Sequence, residues 1–178
     1  PGIAAGSQRA TLAVTEPGGQ PGFGTIETTA SAVGNGYVLS GSKKFVVDGH
    51  TADLLIVVAC TEGEPGLFIV DADAAGLTRT LLQSMDPTRK LASLELENVP
   101  ATRLGEASGS EALARTLDMA VIALAHEMVG GAQQLFDSAV EYSKLRMQFG
   151  RVIGSFQVIK HKCANMLIQL ELAKSATY

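Results

Sequence analysis

Two hydrophobic periods govern this chain, and they exchange near residue 105. Before that point, short runs rich in Val, Ile, Thr and Phe are separated by Gly, Pro and Asn, the pattern of strands punctuated by turns. Strands are predicted at 11–15, stopped by Glu16-Pro17-Gly18-Gly19, and at 25–33, 37–39, 44–47, 67–71, 77–82 and 92–96. Asn35-Gly36 is suited to a type I′ hairpin turn, because both residues tolerate positive φ. Residues 54–59 form an almost continuous apolar run and predict a strand buried on both faces. Many short strands with regular turns point to a small antiparallel barrel or sandwich.

All six prolines precede residue 105. Beyond it, Ser108 or Ser110 can cap a helix, with Glu111 near the positive end of its dipole. Apolar residues then recur at helical spacing, through Leu113, Leu117, Val121, Leu124, Met128 and Leu135, without a break until Phe149-Gly150. The spacing predicts a helix of about 35 to 40 residues, or ~55 Å. Gly130-Gly131 weakens it locally and lets another backbone come close. A second helix is expected from about Ser155, with Ile159, Cys163, Met166 and Leu170 on one face. It is expected to run on at Tyr178 and to pack against something outside this sequence. The short, small-residue join at 105–110 suits a hinge, dividing the chain into domains 1–106 and 107–178. The fold class is therefore α+β, a β-barrel or sandwich followed by long helices.

Composition narrows the function. With 178 residues, 46% of them hydrophobic and 18% charged, the chain can bury a core. A net charge of −4 and a pI near 5.4 argue against nucleic acid as the main partner. No apolar run approaches the ~20 residues that span a bilayer, and no signal peptide is visible, so a cytoplasmic protein is expected. The first residue is Pro, which leaves room for a preceding segment. Cys60 and Cys163 are too isolated for a disulfide framework or a metal site. His50, His126 and His161 are scattered. His126-Glu127 reads as an ordinary polar stripe, since adjacent helical residues do not face each other. The serines lack a nucleophile elbow, and the glycines form no GxGxxG or P-loop pattern.

Specific motifs take the reading further. Thr15-Glu16-Pro17-Gly18-Gly19 ends the first strand in a tight turn able to aim backbone N–H groups and a hydroxyl at a planar polar ring. Gly41-Ser42-Lys43-Lys44-Phe45-Val46-Val47-Asp48-Gly49 follows, then His50-Thr51-Ala52-Asp53, then Met85-Asp86-Pro87-Thr88-Arg89. The most specific segment is Arg146-Met147-Gln148-Phe149-Gly150-Arg151, continuing to Phe156-Gln157. In this order, over essentially the whole length, the motifs resemble those of the flavin-dependent acyl-CoA dehydrogenases. The resemblance covers the family's middle β-domain and the first helices of its carboxyl-terminal four-helix bundle.

The resemblance implies FAD as cofactor. By it, Leu12, Val14, Thr15, Phe45 and Val47 hold the flavin ring, with the backbone of Val47 directed at N5. Arg146, Gln148, Phe149, Ile153 and Phe156 serve the adenosine diphosphate end of a cofactor held mainly by a neighbouring subunit. An arginine is a planar, fixed cation suited to pyrophosphate, whereas Ile153 and Phe156 fit simple core packing equally well. The implied reaction is α,β-dehydrogenation of an acyl-CoA, with electrons passing to an electron-transfer flavoprotein. The long helices suggest a homo-oligomer, a dimer of dimers.

Departures from the family pattern keep other readings open. Pro21 stands where a substrate-contacting serine is usual, and Val47 where many members have Thr. Val121 falls where some members have a CoA-binding arginine, with Asp118 one turn earlier as a polar substrate-side position. Ala120 falls where a minority of members carry the catalytic glutamate. No catalytic base can be named within the chain, and one is expected beyond Tyr178. The alternatives are a non-catalytic subunit of a heteromeric acyl-CoA dehydrogenase, and an acyl-CoA oxidase or flavin monooxygenase on the same scaffold.

Overall fold

The computed structural model describes residues 2–18, 26–105 and 109–178. The chain forms two compact units, 1–113 and 114–178. Among the described residues the first contains seven strands: β1 (Ala10–Ala13), β2 (Thr29–Val33), β3 (Gly36–Val47), β4 (Leu54–Thr61), β5 (Glu64–Asp71), β6 (Leu77–Leu81) and β7 (Leu91–Arg103). Strand β4 pairs with β5, β5 with β7, β7 with β3, β3 with β2, and β2 returns to β4 through Thr29 and Cys60. The sheet thus closes on itself as a barrel. It is mixed rather than purely antiparallel: β1 lies parallel to β4, with Ala10 opposite Leu54, and the β2–β4 bridge is parallel too.

Alternation explains the core. Leu39, Leu55, Val57, Phe68, Val70 and Leu94 point inward and are fully buried. The ring of Tyr37 meets that of Phe68 edge-on at 5.1 Å. As the apolar run predicts, no residue of β4 is exposed. The runs at 37–39 and 44–47 belong to one strand, β3, which passes through Gly41 at φ 145°. A Cβ there would lie 2.8 Å from Thr28 Cα, so only glycine permits this close approach. The β2–β3 turn falls one residue earlier than predicted. Val33 pairs with Gly36, the loop is Gly34-Asn35, and only Gly34 has positive φ, at 59°. That is the pattern of a type II′ turn, in which the first central residue alone needs glycine. Strand β7 also runs beyond its predicted end at Leu96. It changes neighbour from β6 to β5, and Pro100 sits in the changeover, where a missing N–H is tolerated.

Helix α1 (Gly109–Leu145) has 37 residues, within the predicted length. Its first residue belongs to the β unit: a Cβ on Gly109 would lie 2.6 Å from the Pro65 carbonyl. After α1 come two short strands, β8 (Met147–Gln148) and β9 (Arg151–Val152), a 3-10 turn at Ile153–Ser155, and α2 (Gln157–Thr177). In the helical unit α2 returns antiparallel to α1, so that the Tyr178 ring meets that of His126 at 5.3 Å. Leu170 is the buried residue of α2.

Candidate functional site

The predicted flavin-ring residues converge in the first unit. Strand β1 and the turn after it run beside the end of β3. The Lys44 N–H donates to the Thr15 carbonyl at 2.8 Å, and the Thr11 hydroxyl donates to the Val47 carbonyl at 2.6 Å. Leu12 and Val14 are half-buried in this wall. Among the described residues the Thr15 hydroxyl has no hydrogen-bond partner, so its donor is unspent.

A bulge turns Phe45 outward. The β3–β7 register shifts between Lys43 and Val46, and Phe45 occupies that shift with φ 57°. Strict alternation from the buried Leu39 would send 41, 43, 45 and 47 inward together. The extra residue resets the parity: Lys43 and Val46 are buried, while Phe45 and Val47 are 58% and 45% exposed. A non-glycine residue in the left-handed region is strained by roughly 1–2 kcal/mol. Here that strain presents an aromatic face beside Thr15.

Beneath the surface lies a feature that the sequence reading did not single out. Lys43 has no exposed side-chain area, and its Nζ donates to Glu16 Oε1 at 2.6 Å and to the Val14 carbonyl at 3.2 Å. Glu16 also accepts from the Glu27 N–H at 2.7 Å, the Thr28 N–H at 3.0 Å and the Thr28 hydroxyl at 2.6 Å. Burial alone would raise the carboxyl pKa, but the donors from Lys43, Thr28 and Glu27 outweigh it and bring it down to about 2. Burial pushes the Lys43 ammonium down from its ordinary value, and Glu16 counters part of that fall. At the other end of β1, Arg9 and Asp53 form a bidentate pair at 3.0 and 3.1 Å that also takes the Arg9 N–H.

The predicted nucleotide residues gather in the second unit, around the β8–β9 hairpin. Its loop is Phe149-Gly150 with φ 53° and 78°, the two positive values of a type I′ turn. Phe149 is 92% exposed and meets Phe156 edge-on at 6.2 Å. The Arg151 guanidinium lies 4.1 Å above the Phe156 ring. The Arg146 carbonyl accepts from the Ile153 N–H at 2.8 Å, while its side chain is exposed and makes no ion pair among the described residues. Gln148 is exposed and donates to the Met147 carbonyl, and Ile153 is half-buried. Gly154 fits against α1, since a Cβ would lie 2.9 Å from the Ser143 carbonyl.

Asp118, Ala120, Val121 and Glu127 are all exposed on α1. Pro21 lies outside the described residues. Among the described residues no cluster of His, Cys, Asp and Glu could hold a metal ion, and no helix is long and apolar enough to cross a membrane.

The family model for the acyl-CoA dehydrogenase middle domain matches residues 11–99, and that for the acyl-CoA dehydrogenase C-terminal domain matches 107–178. A 3-(aryl)acrylate reductase of Clostridium sporogenes is 35% identical over 97% of this chain and 49% of its own length. The caffeyl-CoA reductase-Etf complex subunit CarC of Acetobacterium woodii is 33% identical over 99% of this chain and 49% of its own. A solved glutaryl-CoA dehydrogenase of Mycobacterium smegmatis in complex with FADH2 superimposes with a TM-score of 0.94 at 25% identity, covering 99% of this chain and 47% of that one. The chain spans about half the length of the curated relatives it matches.

Proposed function

This chain belongs to the acyl-CoA dehydrogenase family, and we propose that the full-length protein carries out FAD-dependent α,β-dehydrogenation of an acyl-CoA thioester. Residues 1–106 are its flavin- and substrate-binding β-domain, and 107–178 the first helices of its carboxyl-terminal bundle. One observation carries the reading: the Lys44–Thr15 hydrogen bond sets an unspent hydroxyl next to an outward-turned, strained aromatic residue. Strain of this kind persists where surrounding structure imposes it, and it concentrates at binding sites.

When bound, FAD supplies the acceptor for a hydride leaving the β-carbon. The chain's own residues bind and orient it. Thr15 would offer its hydroxyl and Phe45 its aromatic face to the flavin, and Val47 with Leu12 and Val14 would form an apolar wall that excludes water. Arg146 neutralises pyrophosphate in a neighbouring subunit's cofactor, with Gln148 and Phe149 beside it and Ile153 and Phe156 supporting the hairpin. That division of labour requires an oligomer, a dimer of dimers of this chain or a heteromer with a paralogous subunit. The α-proton goes to a carboxylate supplied beyond Tyr178, and the family resemblance assigns Pro21 and Asp118 to substrate binding. An electron-transfer flavoprotein takes the electrons, in keeping with the Etf complex named for the CarC relative.

A second reading is the same reaction run in reverse, reduction of an α,β-unsaturated acyl-CoA, favoured by the two relatives named as reductases. Purified full-length protein is expected to carry FAD and to bleach its ~450 nm band on addition of a saturated acyl-CoA. Bleaching only by an external reductant, followed by recovery of colour with an enoyl-CoA, selects the reverse reading. Arg146→Ala is expected to weaken FAD retention about tenfold or more, a loss of one charge-assisted contact. Unchanged flavin content in the purified oligomer removes Arg146 from the site.

A further inference from the structure

The Glu16–Lys43 pair is too deeply placed to touch a ligand, yet it lies directly behind the two segments assigned to the flavin ring. We propose that Glu16 and Lys43 are positioning residues, whose buried ion pair clamps the turn after β1 to the bulge of β3 and so fixes the spacing of Thr15 and Phe45. The inference rests on the flavin reading of those segments.

Four observations support it. First, the pair bridges the relevant segments: Lys43 immediately precedes the bulge, Glu16 immediately follows Thr15, and the Lys43 ammonium also holds the carbonyl of Val14. Second, Glu16 extends the clamp to the residues leading into β2, through both the N–H and the hydroxyl of Thr28. Third, the close approach of Thr28 depends on Gly41, where a Cβ would lie 2.8 Å from both Thr28 Cα and its hydroxyl oxygen. Turn, bulge and β2 entry therefore meet at one carboxylate. Fourth, a left-handed Phe45 relaxes unless both its flanks are pinned, and they are pinned by the buried Lys43 before it and the buried Val46 after it.

Energetics point the same way. A buried ion pair is an inefficient source of stability, because apolar residues of similar volume often replace one at no cost. An apolar pair would fill this space without fixing direction. The ammonium and carboxylate fix it, with five donor–acceptor contacts of stated geometry, each at 3.2 Å or less. What the pair contributes is the geometry of the surface above it.

The test uses the full-length protein, with FAD as the probe. The neutral double variant Glu16→Gln/Lys43→Met keeps both side-chain volumes and strands no charge. It is expected to keep wild-type far-UV circular dichroism and oligomeric state, to bind FAD at least tenfold more weakly, and to show altered visible circular dichroism of the bound flavin. Thr28→Val, which removes one donor to Glu16, is expected to shift the flavin spectrum in the same direction by less. Arg9→Gln breaks the exposed pair at the far end of β1 and is expected to leave the flavin spectrum unchanged. A merely structural pair would lower the melting temperature without altering the flavin signal of folded protein. A folded double variant with wild-type FAD affinity and flavin spectrum therefore overturns the proposal. If the double variant does not fold, Thr28→Val decides, and an unchanged flavin spectrum there overturns it as well. Wild-type protein that takes up no FAD defeats the flavin reading itself, and this inference with it.

Discussion

The two units bury their apolar residues in opposite ways. In the β unit Leu39, Leu55 and Phe68 are sealed from water by the closed ring of strands. In the helical unit Met128, Leu135 and Leu145 are between 73% and 77% exposed, on helices whose length and period are entirely regular. A barrel satisfies its hydrogen bonds and its apolar faces with the same set of strands. A helix satisfies only its hydrogen bonds, and its stripe requires a partner surface. Apolar exposure on this scale marks interaction surface. The β unit is thus closed around its own core, whereas the helical unit leaves an apolar stripe open.

Substitutions can break or sharpen this contrast. The largest effect is expected from Glu16→Gln, which leaves the Lys43 ammonium buried without a counter-charge. The β unit should lose about 3–5 kcal/mol, read from urea unfolding by near-ultraviolet circular dichroism. Phe68→Ala should cost a similar ~3–5 kcal/mol by opening a cavity in the closed core. Its counterpart Leu135→Ala, on the exposed stripe of α1, should change the stability of the 178-residue chain by less than about 0.5 kcal/mol. Equal costs at the two positions would abolish the contrast.

Acid should act next in order. Glu16 titrates near 2 in the folded protein, below the ordinary value of 4.5. A carboxyl that ionises more readily when folded stabilises above its unfolded pKa, and that contribution drains away as pH falls from about 4.5 towards 2. The amount is on the order of 3 kcal/mol. An acid titration followed in the β unit should show this loss, and Glu16→Gln should flatten it. The smallest effect concerns the β2–β3 turn. Gly34→Ala must place a Cβ at φ 59° and should cost about 1 kcal/mol, whereas Asn35→Ala, at a position without positive φ, should be nearly silent in the same thermal melts.

What could be read from the sequence divides along the same physical line. Local signals were legible. The apolar run at 54–59 gave a strand with no exposed residue, and the 3.6-residue period gave α1 at nearly its full length. Residues tied to strand parity were not. A single extra residue at Phe45 reverses which of its neighbours face inward, and no alternation rule anticipates a bulge. Glu16 and Lys43 escaped notice because charged residues in turns and strands ordinarily face solvent, and only the fold brings positions 27 residues apart within 2.6 Å. The turn at Gly34-Asn35 was placed one residue late because Gly34 and Gly36 both flank the asparagine, and only the cross-strand register separates them. The Arg146–Phe149 segment announced itself as a motif, yet its I′ hairpin became visible only in the paired strands β8 and β9.

Closure of the barrel also decides how the protein meets other chains that carry unpaired backbone. Each strand of the ring has neighbours on both sides, so a foreign strand has little to extend. The ladder ends at β1, four residues long and paired with β4, and at β6, which is five residues long and carries Arg79, held by its guanidinium to the Ala52 carbonyl at 3.0 Å. A short border bearing a tethered cation is a poor template for fibrous growth. Pairing of backbone with another chain is thereby disfavoured at these strands.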